Sequence, residues 1–162
     1  AALAFGGYTP SYSALTESFN GTSWTEVGDL TTARYSKAGC GTQTAALFIG
    51  GTSPTTGKTE SWDGSSWTEV ADLNTARYAL SCAGLTTAAL AFGGHVSPAA
   101  SAVTEDWDGS SWTEVADLGT ARQEQEGAGT NVLALSIGGY STAATAVTEE
   151  WTVGQNIKTI TD

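Results

Sequence analysis

The chain has 162 residues, enough for one domain with a core of its own and too few to require two. Its net charge of −11, from 17 acidic against six basic side chains, leaves no basic stripe for nucleic-acid phosphates or for an anionic membrane surface. No run of 18 apolar residues occurs, so no helical membrane insertion is predicted.

Ala, Thr, Ser and Gly dominate a sequence with six Trp and no Met, a make-up that suits packed sheets better than helices. Four tandem units of roughly 44 residues divide it, at approximately 1–33, 34–76, 77–121 and 122–162. The first unit opens inside an apolar run, Ala2-Leu3-Ala4-Phe5, closed by Gly6-Gly7. With neither Met nor a charged segment ahead of it, this start reads as a processed or incomplete chain rather than a targeting peptide. A variable stretch at 8–14 leads to Thr16-Glu17-Ser18-Phe19, Asn20-Gly21 and Trp24-Thr25-Glu26-Val27.

The second unit enters at Arg34 and repeats this order: an apolar run at 46–49, Gly50-Gly51, a variable stretch at 52–58, Thr59-Glu60-Ser61-Trp62, Asp63-Gly64 and Trp67-Thr68-Glu69-Val70. The third enters at Arg77 and carries Gly93-Gly94, a variable stretch at 95–102, Thr104-Glu105-Asp106-Trp107, Asp108-Gly109 and Trp112-Thr113-Glu114-Val115. The fourth enters at Arg122, has Gly138-Gly139, a variable stretch at 140–146 and Thr148-Glu149-Glu150-Trp151, and puts Asn156 where a Trp is due.

Asn-Gly and Asp-Gly between short aromatic-rich runs signal hairpins. The diglycines supply backbone freedom where a strand ends and a neighbour's large side chains must fit. Each unit therefore reads as four strands, those of the second at 35–41, 45–49, 58–63 and 66–71, with no stretch of helical periodicity. The first unit lacks its opening strand, which leaves an edge that something should cover.

An apolar run, a diglycine, an aromatic about a dozen residues on and a Trp five later resemble the Kelch motif. The resemblance spans nearly the whole chain and implies an all-β fold: β-propeller blades of four antiparallel strands, about four Kelch-like repeats, one blade incomplete. The chain is then a single propeller domain or a segment of one. Phe or Trp stands where Kelch repeats usually have Tyr, and the unit is shorter than the usual ~50 residues. The wording GSSWTEV and ALAFGG is most similar to Ala/Ser/Thr-rich repeats of phage and marine-bacterial proteins.

Glu17, Glu60 and Glu105 each precede an Arg by 17 residues, at Arg34, Arg77 and Arg122. The constant offset predicts structural pairs joining one blade to the strand that enters the next, in preference to a ring of catalytic carboxylates. Cys40 and Cys82 sit one residue out of step in consecutive units. That places them on opposite strand faces, so free buried thiols are expected rather than a bridge.

No catalytic constellation and no cofactor or metal site emerges. His95 is the sole histidine, too few for a Ser-His-Asp triad or a zinc site. Gln123-Glu124-Gln125-Glu126 departs from its counterparts; a solvated strand end is preferred there over a cation site for Ca²⁺. Asn20-Gly21-Thr22 is a glycosylation sequon that doubles as a hairpin turn. The variable stretches after the diglycines are the natural recognition loops, and Tyr8, Tyr12, His95 and Tyr140 are their residues best able to stack on a sugar or an apolar side chain; neutral drift of the loops is the competing reading.

The expected function is a non-enzymatic binding or structural module for a protein or glycan ligand, extracellular or virion-associated, as a homo-oligomer or part of a larger assembly. Its rivals are a subunit that self-assembles through its open strand edge, and a glycan-active enzyme built on Glu124 and Glu126.

Overall fold

The computed structural model describes residues 1–52, 54–152 and 155–160, the last six as backbone. Among them the chain is all-β, without a helix, and its strands form small antiparallel sheets. Sheet I is β1 (Ala2–Tyr8), β2 (Tyr12–Phe19) and β3 (Trp24–Glu26), in that order. Sheet II is β4 (Ala38–Gly41), β5 (Ala46–Ile49), β6 (Thr59–Trp62) and β7 (Trp67–Val70). In sheet III, β8 (Ser81–Leu85) and β9 (Ala88–Phe92) are followed by the small hairpin β10 (His95–Val96) and β11 (Ala99–Ala100), then by β12 (Thr104–Trp107) and β13 (Trp112–Glu114). Sheet IV is β14 (Glu126–Gly129), β15 (Leu133–Ile137), β16 (Thr148–Thr152) and β17 (Gln155–Ile160).

Every strand pairing joins neighbours in sequence except β9 with β12, which brackets the β10–β11 hairpin, so each sheet closes before the chain moves on. The strand expected at 35–41 begins only at Ala38. Ser36 takes φ of 55°, and its counterparts Ala79 and Glu124 take 51° and 57°, a left-handed conformation that interrupts extended pairing. These kinks bring the entering segments together: Ala79 N–H donates to the Ser36 carbonyl at 2.7 Å, and Glu124 N–H to the Ala79 carbonyl at 2.8 Å.

The diglycines serve a closer contact than side-chain room. Gly50 has φ of +65°, and a Cβ on it would lie 2.6 Å from the Arg77 carbonyl oxygen. The second glycine of each of the first three pairs donates its N–H to the same kind of carbonyl, Gly7 to Arg34 at 3.1 Å, Gly51 to Arg77 at 3.0 Å and Gly94 to Arg122 at 2.8 Å. Each of these three diglycines thus grips the backbone of the next unit.

Consecutive sheets pack face to face through three apolar layers. We call front the face toward the following sheet and back the face toward the preceding one. Alternation along β5 sends Leu47 and Ile49 to the front, against Ala89, Ala91, Trp107 and Trp112 of sheet III. Ala46 and Phe48 point back, against Leu3 and Phe5 of sheet I. Leu90 and Phe92 of sheet III meet Ala134 and Trp151 of sheet IV. Two tryptophans peg these layers, because a buried indole N–H needs an acceptor. Trp67 Nε1 donates to Thr16 Oγ1 at 2.9 Å, and Trp112 Nε1 to Thr59 Oγ1 at 3.2 Å.

The β6–β7 and β12–β13 turns are held by one carboxylate each, Asp63 and Asp108, and the β2–β3 turn by the Asn20 amide oxygen. Asp63 Oδ1 accepts from Ser65 N, Ser65 Oγ and Ser66 N, all at 2.8 Å, and these donors lower its pKa from 3.8 to about 2. A carboxylate with a depressed folded pKa stabilises fully above its unfolded value and loses that contribution as pH falls through the folded one. Urea unfolding of the wild type should therefore weaken between pH 3.8 and about 2, and Asp63→Ala should show a smaller loss across that window; equal slopes would remove this role.

Candidate functional site

Thr-Ala-Arg delivers an arginine to the point where the chain enters each of sheets II, III and IV. Arg34, Arg77 and Arg122 are fully buried, as are Glu60, Glu105 and Glu149. Arg34 Nη2 donates to Glu60 Oε1 at 2.7 Å, and its Nη1 to the Gly50 and Lys58 carbonyls at 2.6 and 2.7 Å. Arg77 Nη1 reaches Glu105 Oε1 at 2.6 Å and its Nη2 the Ala91 carbonyl at 3.0 Å. Arg122 pairs with Glu149 and donates to the Val147 carbonyl at 2.7 Å.

The second oxygen of each carboxylate holds the segment arriving from the previous sheet. Glu60 Oε2 accepts from Thr31 N and Oγ1, Glu105 Oε2 from Asn74 N and Nδ2, and Glu149 Oε2 from Gly119 N. Burial pulls the pKa of all three arginines down, and for Arg34 and Arg77 the adjacent glutamate opposes the shift.

The partners correct the pairing expected from the sequence. Each Arg meets the Glu that follows it by 26, 28 or 27 residues, within its own sheet. Glu17 is exposed and meets no Arg among the described residues, while Glu149 is paired. In a periodic chain the offset to the preceding Glu and the offset to the following one are equally constant, so regularity does not select between them.

The four recognition candidates fall at two places. The stretches expected as loops are largely tight hairpins: Tyr8 pairs with Tyr12 across the end of sheet I, His95 with Ala100, and Tyr140 with Ala144. Tyr12 stacks on Tyr35 with centroids 5.3 Å apart and planes 17° apart, and Tyr8 lies 5.5 Å from Tyr35. The Tyr8 and Tyr12 side chains still leave 58% and 45% of their surface in solvent. His95, resting on the Tyr78 ring at 4.9 Å, lines an open groove with Tyr140, Gln123 and Pro98. Tyr35 and Tyr78 were not singled out in the sequence, although each directly follows its unit's Arg, as Gln123 of the divergent stretch does.

Gln125 explains part of the divergent stretch. It is buried, donates Nε2 to the Phe92 carbonyl at 2.7 Å, and packs beneath Gly93 as Leu80 packs beneath Gly50. Glu124 and Glu126 are exposed beside Lys37 and Cys82, on an open groove where the entering segments meet. No group of three or more His, Cys, Asp or Glu gathers for a metal among the described residues.

The cysteines are both free, as expected, with Cys82 buried and Cys40 only half-buried, but their opposite strand faces bring them together rather than apart. Cys40 points to the front of sheet II and Cys82 to the back of sheet III, so the two enter one layer. The hydrogen bond with Cys40 and burial push the Cys82 thiol well up.

No family model and no curated protein matches the chain. In fold it is similar to the solved structure of YjhT, at 13% sequence identity and a TM-score of 0.77 over 92% of this chain. The match takes in 52% of that chain, so this one spans about half its length.

A buried pair broken on one side leaves an uncompensated charge, worth about 3–5 kcal/mol. Arg77→Met should lower unfolding free energy by that amount in urea titration, and a change under about 1 kcal/mol would contradict the pairing described.

Proposed function

We propose that the chain is a non-enzymatic binding module of Kelch type, in which sheets I to IV are consecutive β-propeller blades and the hairpins behind the diglycines present aromatic side chains to a protein or glycan. The blade reading rests on the one-after-another order of the sheets and their front-to-back packing. An acidic, repeat-built chain of this wording fits a place on a virion or a cell surface.

The observation that carries the binding reading is the Tyr8–Tyr12–Tyr35 cluster. Three phenol rings pack on one another, yet two of them stay about half exposed. Rigid tyrosines with an apolar body and a polar tip contribute contact area at low entropic cost, which suits sugar rings and apolar side chains alike. The scaffold beneath is repeated while these positions change from unit to unit.

Glycan and protein arrays probed with the wild type should yield a ligand whose affinity falls at least about tenfold in Tyr8→Ala/Tyr12→Ala, a loss of about 1.4 kcal/mol, with thermal unfolding unchanged. Undiminished binding by the double variant would remove the cluster from recognition. Turnover of a glycan that disappears in Glu124→Gln would replace the binding module with an enzyme.

A further inference from the structure

The layer between sheets II and III holds both thiols of the chain, one from each side. Six residues after Arg34, Arg77 and Arg122 stand Cys40, Ala83 and Ala128, and five after them stand Gly39, Cys82 and Gly127. Cys40 is paired within its sheet with Leu47, and Cys82 with Ala91. Residues directly opposite each other on paired strands share a face, and the fully buried Leu47 and Ala91 both belong to this layer. The two cysteines therefore face each other across it.

At the next junction the same two places hold Ala83 and Gly127. The first strands approach so closely there that a Cβ on Gly127 would lie 2.6 Å from the Cys82 carbonyl oxygen. Between sheets II and III a larger side chain stands at both places, and the Cys82 thiol hydrogen-bonds with Cys40. β4 and β8 are edge strands of their sheets. The open groove beside them is lined by Lys37, Ser81 and Cys82, which gives a small solute a way to the rim of the layer.

From this placement we infer that Cys40 and Cys82 form a reversible covalent latch, a disulfide that clasps sheet II to sheet III. The half-buried Cys40 is the first to react. Its thiolate attacks one sulfur of a small disulfide such as oxidised glutathione, breaking that S–S bond and releasing one thiolate. Cys82 then loses its proton to solvent, and its thiolate attacks the Cys40 sulfur of the mixed disulfide and expels the second. Two protein thiols are oxidised and one small disulfide is reduced to two thiols. Oxidising surroundings hold the latch closed, and a thiol-rich compartment opens it. Because the bridge closes a loop of about forty residues, it restricts the unfolded chain and stabilises the folded one. The inference stands whatever the tyrosine hairpins bind.

The folded 162-residue chain is to be incubated with oxidised glutathione, then denatured and alkylated with iodoacetamide. Intact mass should show a 16.5 kDa monomer lighter by two hydrogens and free of alkyl groups, and peptide mapping should join the Cys40 and Cys82 segments. The thermal unfolding midpoint of the oxidised protein should lie at least about 5 °C above that of the reduced one, and dithiothreitol should reverse the rise. Cys40→Ala, which places there the residue that the third and fourth units carry, should show no such response. Four outcomes would overturn the latch: both thiols still alkylated, a glutathione adduct that persists without a bridge, a bridge between two chains, or an internal bridge that leaves the midpoint unchanged or lowers it.

Discussion

One residue per unit carries the joint between sheets: the arginine at which the chain enters a new sheet. Its carbonyl is held by the diglycine of the sheet just completed, and its guanidinium by a glutamate and strand carbonyls of the sheet about to form. The glutamate's other oxygen takes the N–H groups of the arriving segment. Removing two charges from water costs several kcal/mol, so such a pair adds little net stability over a hydrophobic replacement. Its value is geometric. A planar guanidinium with five donors fixes direction as well as distance, which a lysine does not, and a sheet that slips by one residue loses every bond at once.

Around this joint, small residues and tryptophan divide the packing. Ala89 and Ala91 leave room for Leu47 and Ile49, while Trp107 and Trp112 fill the remainder of the layer. The Trp-to-Thr hydrogen bonds satisfy the buried indoles and set the offset between neighbouring sheets.

What could be read in the sequence was what is local or periodic. The strands of the second unit lie where alternation and Asp63-Gly64 place them, because pairing between sequence neighbours is decided by nearby residues. What crosses from sheet to sheet could not be read in the same way. Arg77 was assigned the wrong glutamate since both offsets repeat, and Cys40 and Cys82 were kept apart by a single-strand argument, although stacked sheets bring opposite faces into contact. Tyr8 and Tyr12 were placed in a loop because nothing in a variable stretch announces that its ends pair across a hairpin. The left-handed Ser36, Ala79 and Glu124 carry no glycine to mark them.

The most direct test of this account is a pair of double-mutant cycles on Arg77, one with Glu105 and one with Glu60, measured by urea unfolding. Residues in direct contact couple by about 0.5–3 kcal/mol, and distant ones by less than about 0.5. The buried pair described here predicts strong coupling of Arg77 to Glu105 and none to Glu60. Strong coupling to Glu60, or none to either, would contradict it.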